Sequence, residues 1–239
     1  MRRKKKENIT REIDCTRYII NENNLFSTLT LQQKERIIEK HICSFYGKNS
    51  IIYKEGDNPI GLICLVEGKV KLYKEGINNK EQIVRLVNKG GFIGYRALFA
   101  KESYNSTAAV LEDSITCTIE KELVFEIMRE NHNFTLEIVR RLATELGFSH
   151  TRSISLTQKH IRGRLADALL FLKKTYGVDE ENKLQVLLSR DDLANLANMT
   201  TSNAIRTLSN FIEEGVIKVE GKQIKIINIT ELKKISERG

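Results

Sequence analysis

Residues 189–227 constrain the fold more tightly than any other stretch, because they are ordered as two short helices, a tight turn and a two-stranded hairpin. Ser189-Arg190-Asp191-Asp192 sets a hydroxyl three residues before a carboxylate, so the two can satisfy each other's backbone N–H groups at a helix start. Leu193, Leu196 and Ala197 give that helix an apolar stripe, and Ala194 is small where two helices must pass closely. Asn198 tolerates the left-handed backbone of a sharp turn. Thr200 can cap a second helix in which Ala204, Ile205, Leu208, Phe211 and Ile212 recur at helical spacing, and Gly215 stops it. Thr201, Ser202, Asn203, Arg206 and Thr207 are left on its other faces. Ile217 and Val219 alternate with Lys218, and after Glu220-Gly221-Lys222 the residues Ile224 and Ile226 alternate with Lys225, a hairpin with one buried face. Such a winged helix-turn-helix offers its polar first turn to base edges. Contact with DNA is expected from Ser189, Arg190, Thr200, Thr201, Ser202, Asn203, Arg206 and Lys222.

The 239 residues, 41% hydrophobic and 29% charged, suffice for two domains with a proper core. A net charge of +8 favours a polyanionic partner. The excess is uneven: residues 1–17 hold seven basic and three acidic groups, residues 160–239 thirteen and eleven. DNA affinity must therefore come from where the basic groups sit. The run Arg2-Arg3-Lys4-Lys5-Lys6 has no apolar segment behind it, as a secretion signal or membrane anchor would, so a cytoplasmic protein without a membrane partner is expected. The run reads as a solvated tail, with a DNA-clamping arm as the other reading.

From about Phe45 to Glu120, short β-branched runs are punctuated by Gly56, Gly61, Gly68, Gly76, Gly90, Gly91 and Gly94. Leu62–Val66, Lys69–Tyr73, Gln82–Val87, Ala108–Leu111 and Ile115–Ile119 are the clearer strands, and their regularity suggests a jelly roll or β-roll. A metal-dependent roll enzyme needs clustered imidazoles, yet no His occurs between His41 and His132. No nucleophile elbow, phosphate loop or His-Glu-x-x-His occurs, so no enzyme is expected. Cys15, Cys43, Cys64 and Cys117 are widely spaced without a Cys-x-x-Cys pair, which argues against a zinc site, a compact iron–sulfur loop or a secreted disulfide framework; they read as structural, with a redox or metal role for any of them as the other reading. No metal site is expected.

Residues 120–158 read as helical, with Leu123–Glu130 followed by a break at Asn131-His132-Asn133 and then a long run. Val139, Leu142, Leu146, Ser149, Ser153 and Leu156 recur at three- and four-residue steps, a seam for two copies of the chain, or else a stripe that packs on the roll. Ile161, Leu165, Ala168, Leu169 and Leu172 begin a separate amphipathic helix, which puts a boundary and hinge near residues 157–160. The reading is an α+β chain: 1–24 basic tail and lead-in helix, 25–119 effector-sensing β-roll, 120–159 helical linker and dimerisation helix, 160–239 winged helix-turn-helix.

This order of parts resembles the cyclic-AMP receptor protein (Crp/Fnr) superfamily of bacterial transcription regulators over about residues 25–227. Two stretches carry the resemblance. Lys89-Gly90-Gly91-Phe92-Ile93-Gly94-Tyr95-Arg96-Ala97-Leu98-Phe99 is similar to the start of the family's phosphate cassette, and residues 189–217 align with its helix-turn-helix without a gap. The resemblance implies a cyclic-nucleotide-binding-like roll, a homodimer on double-stranded DNA, promoter bending and contact with RNA polymerase. In members that bind cyclic AMP a Glu follows the glycine, whereas Tyr95 follows Gly94 here. The cassette Arg should fall beside Ser106-Thr107-Ala108-Ala109, where none stands, so weak or absent cyclic-AMP binding is expected.

Candidate contacts to an unidentified effector are Gly94, Tyr95, Arg96, Ser106, Thr107, Ser149 and His150. Arg96 is a candidate for another anionic effector, or an ion-pair residue at the surface or between domains. His150 keeps haem open as a cofactor, against an ordinary structural or solvated role. Cys117 matches the roll cysteine of oxygen-sensing relatives, but Cys15 stands alone, so no iron–sulfur cluster is expected. Many relatives start the recognition helix with Arg-Glu where Thr201-Ser202 stand here, so the operator should differ, while two heads still require a near-palindrome with half-sites about 34 Å apart. The expected function is a homodimeric, sequence-specific transcription regulator under a small-molecule effector other than cyclic AMP. The other readings are a haem-based gas or redox sensor of the same superfamily and a ligand-binding roll without specific DNA reading.

Overall fold

The apolar run Leu62-Ile63-Cys64-Leu65-Val66 does not alternate because its strand is covered on both faces. The computed structural model describes residues 15–20, 25–77 and 80–239. Among them β1 (His41–Tyr46), β2 (Ile51–Tyr53), β3 (Gly61–Glu67), β4 (Lys69–Glu75), β5 (Glu81–Asn88), β6 (Phe92–Ile93), β7 (Thr107–Val110) and β8 (Ser114–Glu120) form two four-stranded antiparallel sheets. Their orders are β1-β8-β3-β6 and β2-β7-β4-β5. Ile63 and Leu65 join the core between the sheets with Tyr53, Val70, Val87 and Ala108, while Leu62 and Cys64 belong to the cluster beneath the helices outside. At the corner between β3 and β4, Gly68 has φ 96° and a Cβ there would lie 2.1 Å from Ser114 Oγ, so only glycine fits. The sequence pattern does not show β1, β2 or β6: β1 and β2 are edge strands with Ile42, Phe45 and Ile51 exposed, and β6 has two residues.

Helices cover the outer face of the first sheet: α1 (Thr16–Ile20), α2 (Leu31–Lys40), α4 (Lys121–Glu130) and α5 (His132–Gln158), while the short α3 (Tyr95–Ala100) follows β6. The basic run at residues 2–6 lies outside the described residues. The break expected over residues 131–133 contracts to Asn131 alone. Its side chain accepts from Phe134 N at 3.0 Å and donates to Thr28 O and Gln33 Oε1, both at 2.9 Å, so one amide caps α5 and ties it to the start of α2.

Cys15 does not stand alone. A disulfide joins it to Cys43, with Cα atoms 6.2 Å apart. Cys43 lies opposite Cys117 in the β1–β8 register, and Cys64 lies opposite Cys117 in the β3–β8 register. The four cysteines of the chain therefore meet in one place, through sheet pairing that sequence spacing does not reveal.

Beyond α5 the chain forms α6 (Ile161–Tyr176), α7 (Arg190–Leu196), α8 (Thr201–Glu213), the hairpin β9 (Ile217–Glu220) and β10 (Gln223–Ile226), and α9 (Ile229–Arg238), which was not read from sequence. His160 is the N-cap position of α6, and Lys159, between α5 and α6, is extended. The head shares its core with Tyr73, Ile83 and Leu86 of the second sheet, so it docks on the roll. No helix among the described residues is long and apolar enough to cross a membrane.

Asn131→Ala is expected to lower stability by about 2 kcal/mol, since a helix cap and two half-buried hydrogen bonds are lost together. Asn133→Ala, exposed within α5, is expected to change it by less than about 0.5 kcal/mol. Urea unfolding of the two variants checks the difference.

Candidate nucleic-acid interface

The cap at Ser189 is built as the residue order demands. Asp192 N donates to Ser189 Oγ at 2.9 Å and Ser189 N to Asp192 Oδ2 at 3.3 Å. Asn198 takes φ 50° in the turn, and Thr200 caps α8 by accepting from Asn203 N at 3.3 Å. Ala204, Leu208 and Phe211 are buried, but the expected stripe is displaced: Thr207 is buried, whereas Ile205 and Ile212 are 48% and 43% exposed. The face of α8 turned to the core is centred on residues 204, 207, 208 and 211, a narrower arc than hydrophobicity alone suggests.

The outward face of α8 carries Ser202, Ile205, Arg206, Ser209 and Asn210. Thr201 donates to Asp191 Oδ1 at 2.6 Å, and Arg206 donates to Asn203 Oδ1 at 2.9 Å, so the polar first turn is already ordered. Lys222 is exposed at the hairpin tip. Arg190 reaches Gly221 O at 2.9 Å and so links α7 to the wing. These residues present one surface of hydroxyls, an amide and cations, which suits base edges and phosphates together.

The same cap is fastened to the roll. Lys71 of β4 lies 2.7 Å from Asp192 and 2.9 Å from Glu81. Burial alone would raise the Asp192 carboxyl, but hydrogen bonds from Lys71 and Ser189 hold it below the usual carboxylate range. Burial alone would lower the Lys71 ammonium, but its bonds to Asp192 and Glu81 hold it above its ordinary value. Gln82 donates to Asn195 O at 2.7 Å. Arg152 of α5 donates to Ile83 O at 2.6 Å and to Leu196 O at 2.8 Å, and burial pushes its guanidinium down to about 10. Roll, long helix and reading head thus meet at the end of α7. None of Lys71, Gln82 or Arg152 stood out in the sequence, since their partners lie 44 to 121 residues away.

Inside the roll, Tyr53 and Tyr104 stack at 3.6 Å between ring centroids. Gly94 has φ 74°, and a Cβ there would lie 2.6 Å from Tyr104 Cε1. Tyr95 is buried and donates its hydroxyl to Glu145 of α5, which also pairs with Arg85 of β5. Arg85 further donates to Phe92 O at 2.7 Å and lies over the Tyr95 ring. Burial raises the Glu145 carboxyl and lowers the Arg85 guanidinium, and each charge opposes the shift of the other. Ser106 and Thr107 are buried, with Thr107 Oγ1 accepting from Glu55 N at 3.1 Å. Arg96 instead faces outward and pairs with Glu102 at 2.9 Å. Ser149 and His150 lie exposed on α5. The candidate effector residues therefore fall into a buried group and a surface group.

Along α5, Val139, Leu146, Ser149 and Ser153 are exposed, as are Leu136 and Ile154, which the spacing argument missed. Leu142 instead packs on the outer cluster of the roll, and Leu156 lines an open cleft of about 830 Å³ between the second half of α5 and α6. Phe148 and Phe171 stack across that cleft at 4.9 Å.

Residues 44–131 match the cyclic nucleotide-binding domain family and residues 163–235 the Crp-like helix-turn-helix domain family. The chain is similar to the fumarate and nitrate reduction regulatory protein of Vibrio cholerae, 25% identical over 224 residues, 93% of this chain and 86% of the relative. It is 26% identical to electron transport regulator A of Shewanella oneidensis over 220 residues, 91% of this chain and 84% of the relative. The solved structure of FixK2 from Bradyrhizobium japonicum shares the fold, with a TM-score of 0.74 at 20% identity, covering 82% of this chain and 96% of that one.

Because the folded Asp192 carboxyl titrates below its unfolded value, its contribution is fully present above the ordinary carboxylate range and is lost as the pH falls through the lowered value. Asp192→Asn is expected to flatten that part of the acid limb. Thermal unfolding of wild type and variant between about pH 7 and about pH 3 reads the difference.

Proposed function

We propose that this chain, which belongs to the Crp/Fnr family of DNA-binding transcription regulators, works as a homodimer that reads a near-palindromic operator through the first turn of α8 and is governed by a signal other than cyclic AMP. The observation that carries the reading is the outward polar turn of α8, with Ser202 and Arg206 exposed beside the Lys222 wing and its backbone capped by Thr200. Asn203 suits adenine and Arg206 suits guanine, while Thr201 and Ser202 are permissive. Recruitment of RNA polymerase accompanies this reading as the family's mode of action.

Dimerisation is supported by the exposed stripe Leu136, Val139, Leu146 and Ile154, each at least half exposed on one long helix. A parallel second helix would cover that stripe at coiled-coil spacing. Ser149 and Ser153, in its second half, weaken the packing there, which suits a pairing that signal can shift.

Exclusion of cyclic AMP is supported by the stacked Tyr53 and Tyr104 against Gly94 and by Tyr95 at the position that follows it. The Tyr95–Glu145–Arg85 link already neutralises Arg85, so a cyclic phosphate that paired with it would have to displace a carboxylate. The same link joins β5, α3 and α5, and so carries a change in the roll to the long helix. A signal acts through it only by binding the two states unequally.

Arg206→Ala is expected to weaken specific operator binding by about tenfold or more, with little change on unrelated DNA, as read by titration at fixed salt. Binding that survives the change without sequence preference overturns the DNA assignment. Leu146→Glu is expected to give monomers in sedimentation equilibrium and to lose the symmetric footprint. Calorimetry is expected to detect no low-micromolar binding of cyclic AMP, and heat at that concentration overturns the exclusion.

A further inference from the structure

We infer that Cys15 and Cys43 form a redox-active dithiol that exchanges with low-molecular-weight disulfides, with His41 as the proton acceptor that activates it. The two sulfurs are bonded, and a ring nitrogen of His41 lies within 4.8 Å of both. His41 Nδ1 sits 2.7 Å from Ile38 O, an acceptor only, so Nδ1 is a donor and Nε2 is the ring nitrogen left to take a proton from a thiol. Cys43 is half-buried on the edge strand β1, whereas Cys15 is fully buried. That division suits an attacking thiol and a resolving thiol.

The remaining two thiols are unsuited to attack. Cys64 and Cys117 are fully buried, and burial pushes the Cys117 thiol up to about 12 and the Cys64 thiol well above its ordinary value. They keep their protons and line the floor of the site. Cys15 also has a place in the reduced state, because its Sγ lies 3.8 Å from Thr116 O, an acceptor for the thiol once the disulfide opens. A DNA-binding regulator works where thiols are kept reduced, so a disulfide there is a reactive group more than a structural staple.

The exchange balances. Cys43 gives its proton to His41, and its thiolate attacks one sulfur of the small disulfide, forming a mixed disulfide and expelling one thiolate. Cys15 then attacks the Cys43 sulfur, the second small thiolate leaves, and the protons of both cysteines end on the two released thiols. The protein loses two hydrogens as one small disulfide becomes two thiols. The bond formed ties the residue just before α1 to β1, and Phe134 and Ile138 of α5 share one core with Cys15 and Ile19.

The test equilibrates the full-length protein without air in graded mixtures of reduced and oxidised glutathione, then counts thiols by alkylation under denaturing conditions and mass spectrometry. Four free thiols are expected at the reducing end and two at the oxidising end, with Cys64 and Cys117 still alkylated. Four thiols throughout, or a bond through Cys64 or Cys117, overturns the assignment. Stoichiometric zinc that co-purifies with the reduced protein and blocks the exchange also overturns it, since the same three residues would then be metal ligands. Cys43→Ser is expected to abolish both the mixed disulfide and the internal bond. Cys15→Ser is expected to stop at the mixed disulfide on Cys43, which needs no folded comparison to interpret. His41→Ala is expected to slow the exchange about tenfold near neutral pH and to leave the glutathione ratio at half-oxidation unchanged, which a purely structural imidazole would not do. The dithiol chemistry is independent of DNA binding, so operator titration on the same samples separates a failure of this assignment from a failure of the DNA reading.

Discussion

Neither sheet of the roll is left with a bare outer face, and the placement of every functional part follows from that. The first sheet is covered by α1, α2, α4 and the first half of α5, and the second is covered in part by the reading head. An antiparallel sheet usually keeps one face in water. Here Leu62 and Cys64 need a cover as much as Ile63 and Leu65 do, so hydrophobic burial is what holds the long helix on the roll. Among the described residues, it is the head that closes over Tyr73, Ile83 and Leu86.

On that apolar base the polar contacts do a different job. Lys71 with Asp192 and Glu81, Gln82 with the Asn195 carbonyl, and Arg152 with two carbonyls fix the head's orientation more than they hold it on. A partly buried ion pair gains little net stability once desolvation is counted, but breaking one partner away leaves a charge without its counterpart.

The parts that depend on neighbours in sequence were legible before the fold was known. The capping box at Ser189, the turn at Asn198, the Thr200 cap and the wing around Gly221 each rest on residues within four positions of one another. The overall order of roll, long helix and winged head was legible for the same reason, because hydrophobic period and glycine corners are local signals. What escaped was set by pairing across the chain. Cys15 meets Cys43 only because the residue before α1 is buried against the first sheet, and Arg85 meets Glu145 only because α5 crosses the roll at that point. On α5 the three-and-four spacing could not separate a stripe facing a partner from one facing the roll, so Leu142 and Leu156 were grouped with Val139 and Leu146, and Ile154 was passed over.

That ambiguity on α5 has a physical root that bears on how the parts of the molecule are coupled. A helix asked to pack on the roll with Phe134, Ile138 and Leu142, on the head with Arg152 and Leu156, and to leave Val139, Leu146 and Ile154 free cannot keep its three stripes independent. Rotating it to improve one contact moves the other two, because side chains on a single helix share one rigid backbone. Glu145 lies where that rotation is resisted, held by Tyr95 on one side and Arg85 on the other, while Arg152 sits two turns further along against the end of α7. A change at the first group therefore reaches the second through a seven-residue stretch of continuous helix. No loop intervenes to absorb it before the extended backbone at Lys159, beyond which α6 and the reading head begin.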